Sequence, residues 1–260
     1  LALIPSGYKS GKVYSILPVN GVGDFDFSRN TESSRVNKEG LIETVGNNVP
    51  RLDWLNSDCP SLLLEPQRTN DFTYSEEFNQ SAWVKSNSTI TTNEIISPNG
   101  KLTADLLTSN ASGGGVFRFN GWSTTQKTIS IFVKKNSSST AEIFNASSGT
   151  NRVVFNLDNG TITTQGGSMT GQIENFGSGW FRITATHTGT GNQTFGLKPQ
   201  TNQSLFIWGC QSESASYPTS YIKTEASTVT RINDVCGNAG DLQLLNNPEN
   251  TFFIDLNKIY

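Results

Sequence analysis

Apolar residues in this chain come in short runs that alternate with polar ones. In TISIFVKK, Ile129, Ile131 and Val133 share one phase, while Thr128, Ser130 and Phe132 share the other. In WFRITATH, Trp180, Arg182, Thr184 and Thr186 oppose Phe181, Ile183 and Ala185. A period of two places successive side chains on opposite faces of a strand. The pattern predicts strands at Trp83–Lys85, Leu102–Leu107, Val116–Phe119, Thr128–Lys134, Ala141–Asn145, Arg152–Leu157, Thr161–Thr163, Gln172–Phe176, Trp180–His187, Gln193–Lys198 and Ser204–Gln211. In the last of these Leu205 and Ile207 alternate cleanly, and Cys210 follows only loosely. No long apolar stripe has helical spacing. NGKLTADLL is the one competitor, and its Asn99-Gly100 start favours a hairpin. Turn residues interrupt the runs every eight to twelve positions, so the expected architecture is all-β, an antiparallel β-sandwich.

The pattern also divides the chain. Residues 1–22 are punctuated by Gly and Pro and read as an extended connector or attachment segment. Residues 23–70 carry the short runs FDFSRN, SSRVN, GLIETV, PRLDW and SLLLEPQRTN and form a small β-rich region, expected to pack on the main body. There Arg29, Arg35, Arg51 and Arg68 recur among Asp24, Glu43, Asp53 and Glu65, a set best read as structural ion pairs. Residues 71–235 make the main body. It ends in a Pro-centred bend, YPTSYI, and a β-branched run from Thr228 to Val235. Residues 236–260 are turn-rich to Asn250 and then strand-like, a linker and the opening strand of a further domain. Beginning without Met and ending in FFIDLNKIY, the chain reads as a segment of a longer protein.

Composition sharpens this picture. Only 34% of residues are hydrophobic and 16% charged, but 15 Phe, 6 Tyr and 5 Trp are far too many aromatics for a disordered chain. The net charge is −3 and Lys134–Lys135 is the densest basic pair, so a phosphate-binding face for nucleic acid is not expected. No apolar run is long enough to span a bilayer. Cys59, Cys210 and Cys236 are odd in number and widely spaced, which suits free buried thiols better than a disulfide framework or a zinc site.

Several longer blocks carry a resemblance. FSRNTESSRVNKEGLIETVGNNVPRLDW, CPSLLLEPQRTN, FNQSAWVKSNSTIT, SPNGKLTADLL, GWFRITAT and IWGCQSESASYPTSYIKTEASTVTRINDV together resemble head-fibre and tail-fibre proteins of tailed bacteriophages, prominent among phages of Bacteroidetes. The resemblance runs from about residue 4 to 240. It implies that residues 71–235 form a jelly roll similar to carbohydrate-binding modules, with residues 236–260 leading into a concanavalin-like lectin domain. It implies a virion location on the exterior surface or tail, attachment to capsid or tail proteins, homotrimers, and adhesion to host-surface polysaccharide. A carbohydrate-binding module of a secreted polysaccharide-degrading enzyme, or a phage depolymerase, stays open beside it. One departure stands out: SESAS occurs where relatives carry a LEAGA-like sequence, putting Ser212 in place of a core Leu. The last strand is therefore expected to end early.

Candidate chemistry is sparse. His187 is the sole histidine and no GxSxG motif accompanies it, so a nucleophile–histidine site is not expected. The pairs Asp24/Asp26 and Glu76/Glu77 are too close in sequence to face each other across a glycosidic bond, and Glu213 stands alone. The chain is not expected to be an enzyme, and it requires no cofactor. Asp24, Asp26 and Asn30 offer oxygens to a structural calcium ion, as similar jelly rolls do. Sugar binding calls for an exposed aromatic plate with polar neighbours. Trp122, following a Gly in FRFNGWSTT and flanked by Arg118, Asn120 and Gln126, is the first choice, with Trp83 next. Trp180 and Trp208 are assigned to the structural core.

Overall fold

The computed structural model describes residues 5–15, 25–123, 125–189, 193–237 and 252–254. All regular structure among them is strand, and the pairings are antiparallel. The chain divides into two compact units. One comprises residues 1–68, 219–222 and 230–260; the other comprises 69–218 and 223–229.

In the first unit, β1 (Pro5–Lys9) and β2 (Lys12–Ser15) form a hairpin within the stretch expected to be a connector. Gly11, at φ +79°, supplies the left-handed turn. The rest of residues 1–22 lies outside the described residues. The strands β3 (Phe25–Ser28), β4 (Ser33–Val36), β5 (Ile42–Val45), β6 (Arg51–Asp53) and β7 (Ser61–Leu64) follow the predicted runs, as does β8 (Arg68–Asn70), whose last two residues belong to the second unit.

Buried charge organises this unit. Asp234 Oδ1 accepts from Arg29 Nη1 at 3.0 Å, and Oδ2 accepts from Arg51 Nη2 and, at 2.9 Å, from the Glu65 backbone N–H. Glu65 Oε2 accepts from Arg51 Nη1 at 2.6 Å, Arg231 Nη1 at 2.5 Å and Ser220 Oγ at 2.6 Å. Three guanidiniums thus face two carboxylates. Further N–H groups of Arg29 and Arg231 donate to the carbonyls of Gly46, Thr31, Val49 and Pro66. Of the acidic residues grouped with the arginines in sequence, Glu43 pairs with Arg35 at 2.7 Å and Glu65 with Arg51. Asp53 instead accepts the backbone N–H groups of Val36 and Leu55.

The second unit opens with β9 (Val84–Ser86), β10 (Ser88–Ile96), β11 (Leu102–Ser109), β12 (Gly115–Trp122), β13 (Gln126–Lys135) and β14 (Thr140–Asn145). It continues with β15 (Arg152–Asn156), β16 (Thr161–Gly166), β17 (Thr170–Asn175), β18 (Trp180–Thr188), β19 (Gln193–Lys198) and β20 (Ser204–Glu213). Two six-stranded sheets result, β10-β11-β20-β13-β18-β17 and β16-β15-β14-β19-β12-β9. This is a β-sandwich of jelly-roll type. Leu107, Ile129, Ile131, Val133, Ile183 and Ile207 of the first sheet share one core with Val116, Ile143, Val153, Phe155, Phe195 and Leu197 of the second. Every sandwich strand except β10 is anticipated by alternation. STITTNEII is mostly exposed on both faces, as an edge strand can be, so it shows no apolar period. The Asn99-Gly100 hairpin joins it to β11, with Gly100 at φ +79°.

Two details of β20 differ from the sequence expectation. Phe132 pairs with Trp208 but Ser130 pairs with Gln211, so β20 holds one extra residue, and Gly209 sits there at φ +61°. A bulge with Gly in the left-handed region resets the side-chain phase. That is why Cys210 rejoins Leu205 and Ile207 in the core. The strand also does not end early at Ser212. The Ser212 N–H donates to Asn70 Oδ1 at 3.0 Å and its carbonyl accepts from Asp71 N–H at 2.8 Å, which satisfies the backbone without a core Leu. Trp180 and Trp208 are both buried.

After β20 the chain passes through residues 219–222 of the first unit and returns to it with β21 (Val229–Arg231). There β22 (Val235–Gly237) pairs with β3, completing the sheet β1-β2-β3-β22, and β23 (Phe252–Ile254) pairs with β7. Val13, Phe27, Leu62, Leu64 and Cys236 form the apolar core of this unit. The boundary thus follows Arg68, and residues 219–222 and 230–235, assigned from sequence to the main body, belong to the first unit. The strand-like end at 252–254, expected to open another domain, pairs within this unit. Residues 238–251 and 255–260 lie outside the described ones.

Asp105 on β11 gives the sandwich a pH signature. Its buried carboxylate accepts the N–H groups of Phe78 and Asn93, both at 3.1 Å. Burial, partly offset by those bonds, pushes its pKa up to about 6. An unfolded Asp titrates near 3.8, so the folded sandwich holds the extra proton between these values. Stability is therefore expected to rise as pH falls from about 6 to about 4. Thermal unfolding followed by tryptophan fluorescence checks this, since Trp83, Trp122, Trp180 and Trp208 all lie in the sandwich. A flat or falling midpoint across that window would contradict it.

Candidate functional site

The second sheet presents its outer face through the residues that alternate with the core. Val116, Leu197, Ile143 and Val153 point inward on β12, β19, β14 and β15. Their chain neighbours Phe117, Gly196, Phe144 and Arg152 therefore face outward, and they stand in one row: Phe117 pairs with Gly196, Gly196 with Phe144, and Phe144 with Arg152. The Phe117 and Phe144 rings meet edge to face at 5.7 Å. They can do so because Gly196 lies between them. A Cβ at that position would come within 2.5 Å of the Phe144 ring. Phe119, two residues along β12 on the same phase, is 65% exposed. In the next row Lys198 holds Glu142 at 3.2 Å and places its ammonium 4.6 Å from the Phe144 ring centre. The face is a half-sunken aromatic strip with polar groups beside it.

The residues singled out from sequence fall elsewhere. Trp122 is fully buried, packed against His187 at 5.5 Å and Phe195 at 6.2 Å, so it offers no plate to solvent. The reason is phase: Trp122 lies an even number of residues from Val116, on the core side of β12. Arg118 shares that side. Its guanidinium donates to Ala82 O at 2.9 Å and Thr73 Oγ1 at 2.8 Å and covers the rings of Phe72 and Trp83. Gln126 is exposed at the start of β13, and the Asn120 side chain lies outside the described part of the structure. Trp83 is buried against Phe72 and Phe78. Ring size points to Trp122 and away from Phe117, Phe119 and Phe144. The available signal was FRF, whose two phenylalanines oppose Val116.

Of the calcium set, only Asp26 and Asn30 are among the described residues. Asp26 pairs with Lys12 at 3.0 Å, Asn30 is exposed, and Asp24 lies outside the described residues. No group of three His, Cys, Asp or Glu side chains able to hold a metal occurs among the described residues. Cys210 and Cys236 are buried free thiols, whereas Cys59 is an exposed one.

His187 deserves comparison with a catalytic base, because Ser168 Oγ lies 3.1 Å from its Nδ1 and Asn145 Nδ2 lies 3.4 Å from its Nε2. Asn145 is oriented by its other bonds: its Oδ1 accepts from Ser147 N–H at 3.0 Å and its Nδ2 donates to Gln193 Oε1. Nε2 must then accept, so Nδ1 carries the proton and donates to Ser168. A base needs its lone pair on the serine side. This arrangement ties β14, β18 and the loop before β17 together, with no lone pair of Nδ1 turned to the Ser168 hydroxyl.

No protein-family model matches the chain, and no curated protein does. Among solved structures, the CBM22-1 and GH10 modules of a Clostridium thermocellum endo-1,4-β-D-xylanase, complexed with xylohexaose, match at 14% identity and a TM-score of 0.37. That match covers 62% of this chain and 30% of the other. A Bacteroides thetaiotaomicron protein assigned to sugar binding matches at 8% identity and 0.29, over 55% of this chain and 94% of the other. The enzymatically active domain of a bacteriophage CBA120 tailspike protein matches at 11% and 0.22, over 65% and 21%. Similarity this loose carries no argument about function. No helix among the described residues is long and apolar enough to cross a membrane.

Proposed function

We propose that this chain is an adhesive segment of a phage virion appendage, a head fibre or tail fibre, and that its sandwich binds host-surface glycans through the outer face of the β12–β14 sheet. The observation that carries the glycan reading is the row Phe117–Gly196–Phe144 with Phe119 beside it. CH faces of a pyranose stack on such rings, while Lys198 and Glu142 are placed to serve hydroxyls. The virion reading rests on the sequence blocks that resemble fibre proteins. In it the protein acts by holding a polysaccharide without cleaving it, and its copies assemble as homotrimers on capsid or tail proteins.

Phe119→Ala is expected to weaken binding to an immobilised host-surface polysaccharide by about tenfold, with the circular dichroism spectrum and melting temperature nearly unchanged because the ring is exposed. Undiminished binding in the Phe117→Ala/Phe119→Ala double variant would remove the basis for the site. Shortening of the polysaccharide on incubation would overturn the non-enzymatic part of the reading. Light scattering tests the assembly, for which three copies are expected.

A further inference from the structure

The row of the aromatic strip does not stop at Phe144. On β15 it continues to Arg152, paired directly with Phe144, and on β16 to Gly166, paired with Arg152. Arg152 is exposed, and it makes no ion pair or hydrogen bond among the described residues. Glu142, on the same face two residues before Phe144, is engaged by Lys198. Lys198 and Glu142 cancel, so Arg152 is the uncompensated charge of the strip. Gly166 puts no side chain on its far flank. Adjacent strands lie about 4.8 Å apart, so Phe117 and Arg152, three strand spacings from each other, span about 14 Å of sheet.

Resting on the glycan reading above, we infer that this face selects acidic polysaccharides: a sugar ring stacks on Phe144 or Phe117, and the Arg152 fork takes the carboxylate of a uronic acid residue in the chain. The free guanidinium favours this over a neutral glycan. An exposed guanidinium with no partner, in register with a stacking ring, matches a planar carboxylate with two parallel N–H donors. A neutral sugar leaves that fork unused. The whole chain carries a net charge of −3, so attraction of an acidic polymer must come from a local cation and not from a general positive field.

The test measures binding of the whole chain to polygalacturonate and alginate, each beside its carboxyl-reduced form, and to dextran sulfate beside dextran. At least one uronate polymer is expected to bind about tenfold more tightly than its reduced counterpart, because hydrogen bonds to a charged group are roughly twice as strong as neutral ones. Arg152→Gln is expected to shrink that difference to about twofold or less, whereas Phe119→Ala lowers affinity for both forms. Equal binding of acidic and reduced polymers, or a preference that survives Arg152→Gln, would overturn the inference and leave the glycan site standing. Dextran sulfate bound as tightly as the uronates would overturn the carboxylate assignment. Absence of binding to every polymer in the set would overturn it outright. Glycans of any charge failing to bind, host-surface polysaccharide included, would remove the proposed function as well.

Discussion

Asp234→Ala is expected to destabilise the first unit by about 3–5 kcal/mol, because breaking a buried ion pair from one side strands the charges left behind. Here Arg29 would lose its carboxylate partner and Arg51 would be left with Glu65 alone. Arg29 and Arg51 both donate to this carboxylate, both are buried, and the Glu65 backbone N–H would also lose its acceptor. Domains commonly have only about 5–15 kcal/mol to lose. Urea unfolding by far-UV circular dichroism, with hydrogen exchange read at β6 and β7, measures the loss. A second variant keeps the reasoning testable if the first fails to fold: adding Arg29→Met and Arg51→Met should recover much of the stability, since a buried ionic group can often be replaced by apolar side chains. A loss below about 1 kcal/mol for Asp234→Ala would mean that the network is hydrated or dispensable.

The same network sets the acid limit of the unit. Burial alone would raise the Glu65 carboxyl, but the guanidiniums of Arg231 and Arg51 and the Ser220 hydroxyl hold it at about 2, below its ordinary 4.5. The folded state is therefore the weaker proton binder. Its advantage is complete above about pH 4.5 and is lost as pH falls toward 2. This is opposite in sign to Asp105 in the sandwich. Between pH 6 and 4 the sandwich gains from proton uptake, while below 4.5 the first unit loses.

The two units also differ in how far their sequences can be read. The central sandwich strands announce themselves because each buries one face and exposes or covers the other, and the side-chain period reports it. β10 escapes because it is an edge strand that packs little more than Ile90 on the core, too little to show a period. The ionic network is half legible. Arg29, Arg51 and Glu65 fall within one short region of sequence, but Asp234 lies 205 residues from Arg29 and Arg231 lies 166 from Glu65. No local pattern carries that pairing. An exposed aromatic surface is hard to read from sequence for another reason. Ring size favours Trp122, whereas accessibility depends on phase, and Val116, Arg118 and Trp122 share the inward one. Phe117 and Phe119 were available to the same counting.

Trp208→Ala is expected to cost about 3–5 kcal/mol of sandwich stability, the usual range for removing a buried aromatic. Trp208 belongs to the first sheet and points away from the shared core, since Ile207 and Cys210 on either side of the bulge point into it. Its ring packs on Phe132 at 5.4 Å, and Phe132 packs on Phe176 at 4.9 Å. Deleting the indole opens the end of this aromatic chain where β20 is held to β13. Gly209→Val attacks the same point through the backbone. A β-branched residue at φ +61° is strained by roughly 1–2 kcal/mol, and relief requires the bulge to slip, which would turn Cys210 out of the core. Because both changes lie in the sheet opposite the aromatic strip, polysaccharide binding measured at low temperature, where the variants remain folded, should persist within about twofold of the parent chain. Thermal midpoints and binding isotherms on the same samples separate the two effects. If Trp208→Ala kept its midpoint and lost binding, Trp208 would be part of the glycan site, and the outer face of the β12–β14 sheet would lose its claim to be the whole of it.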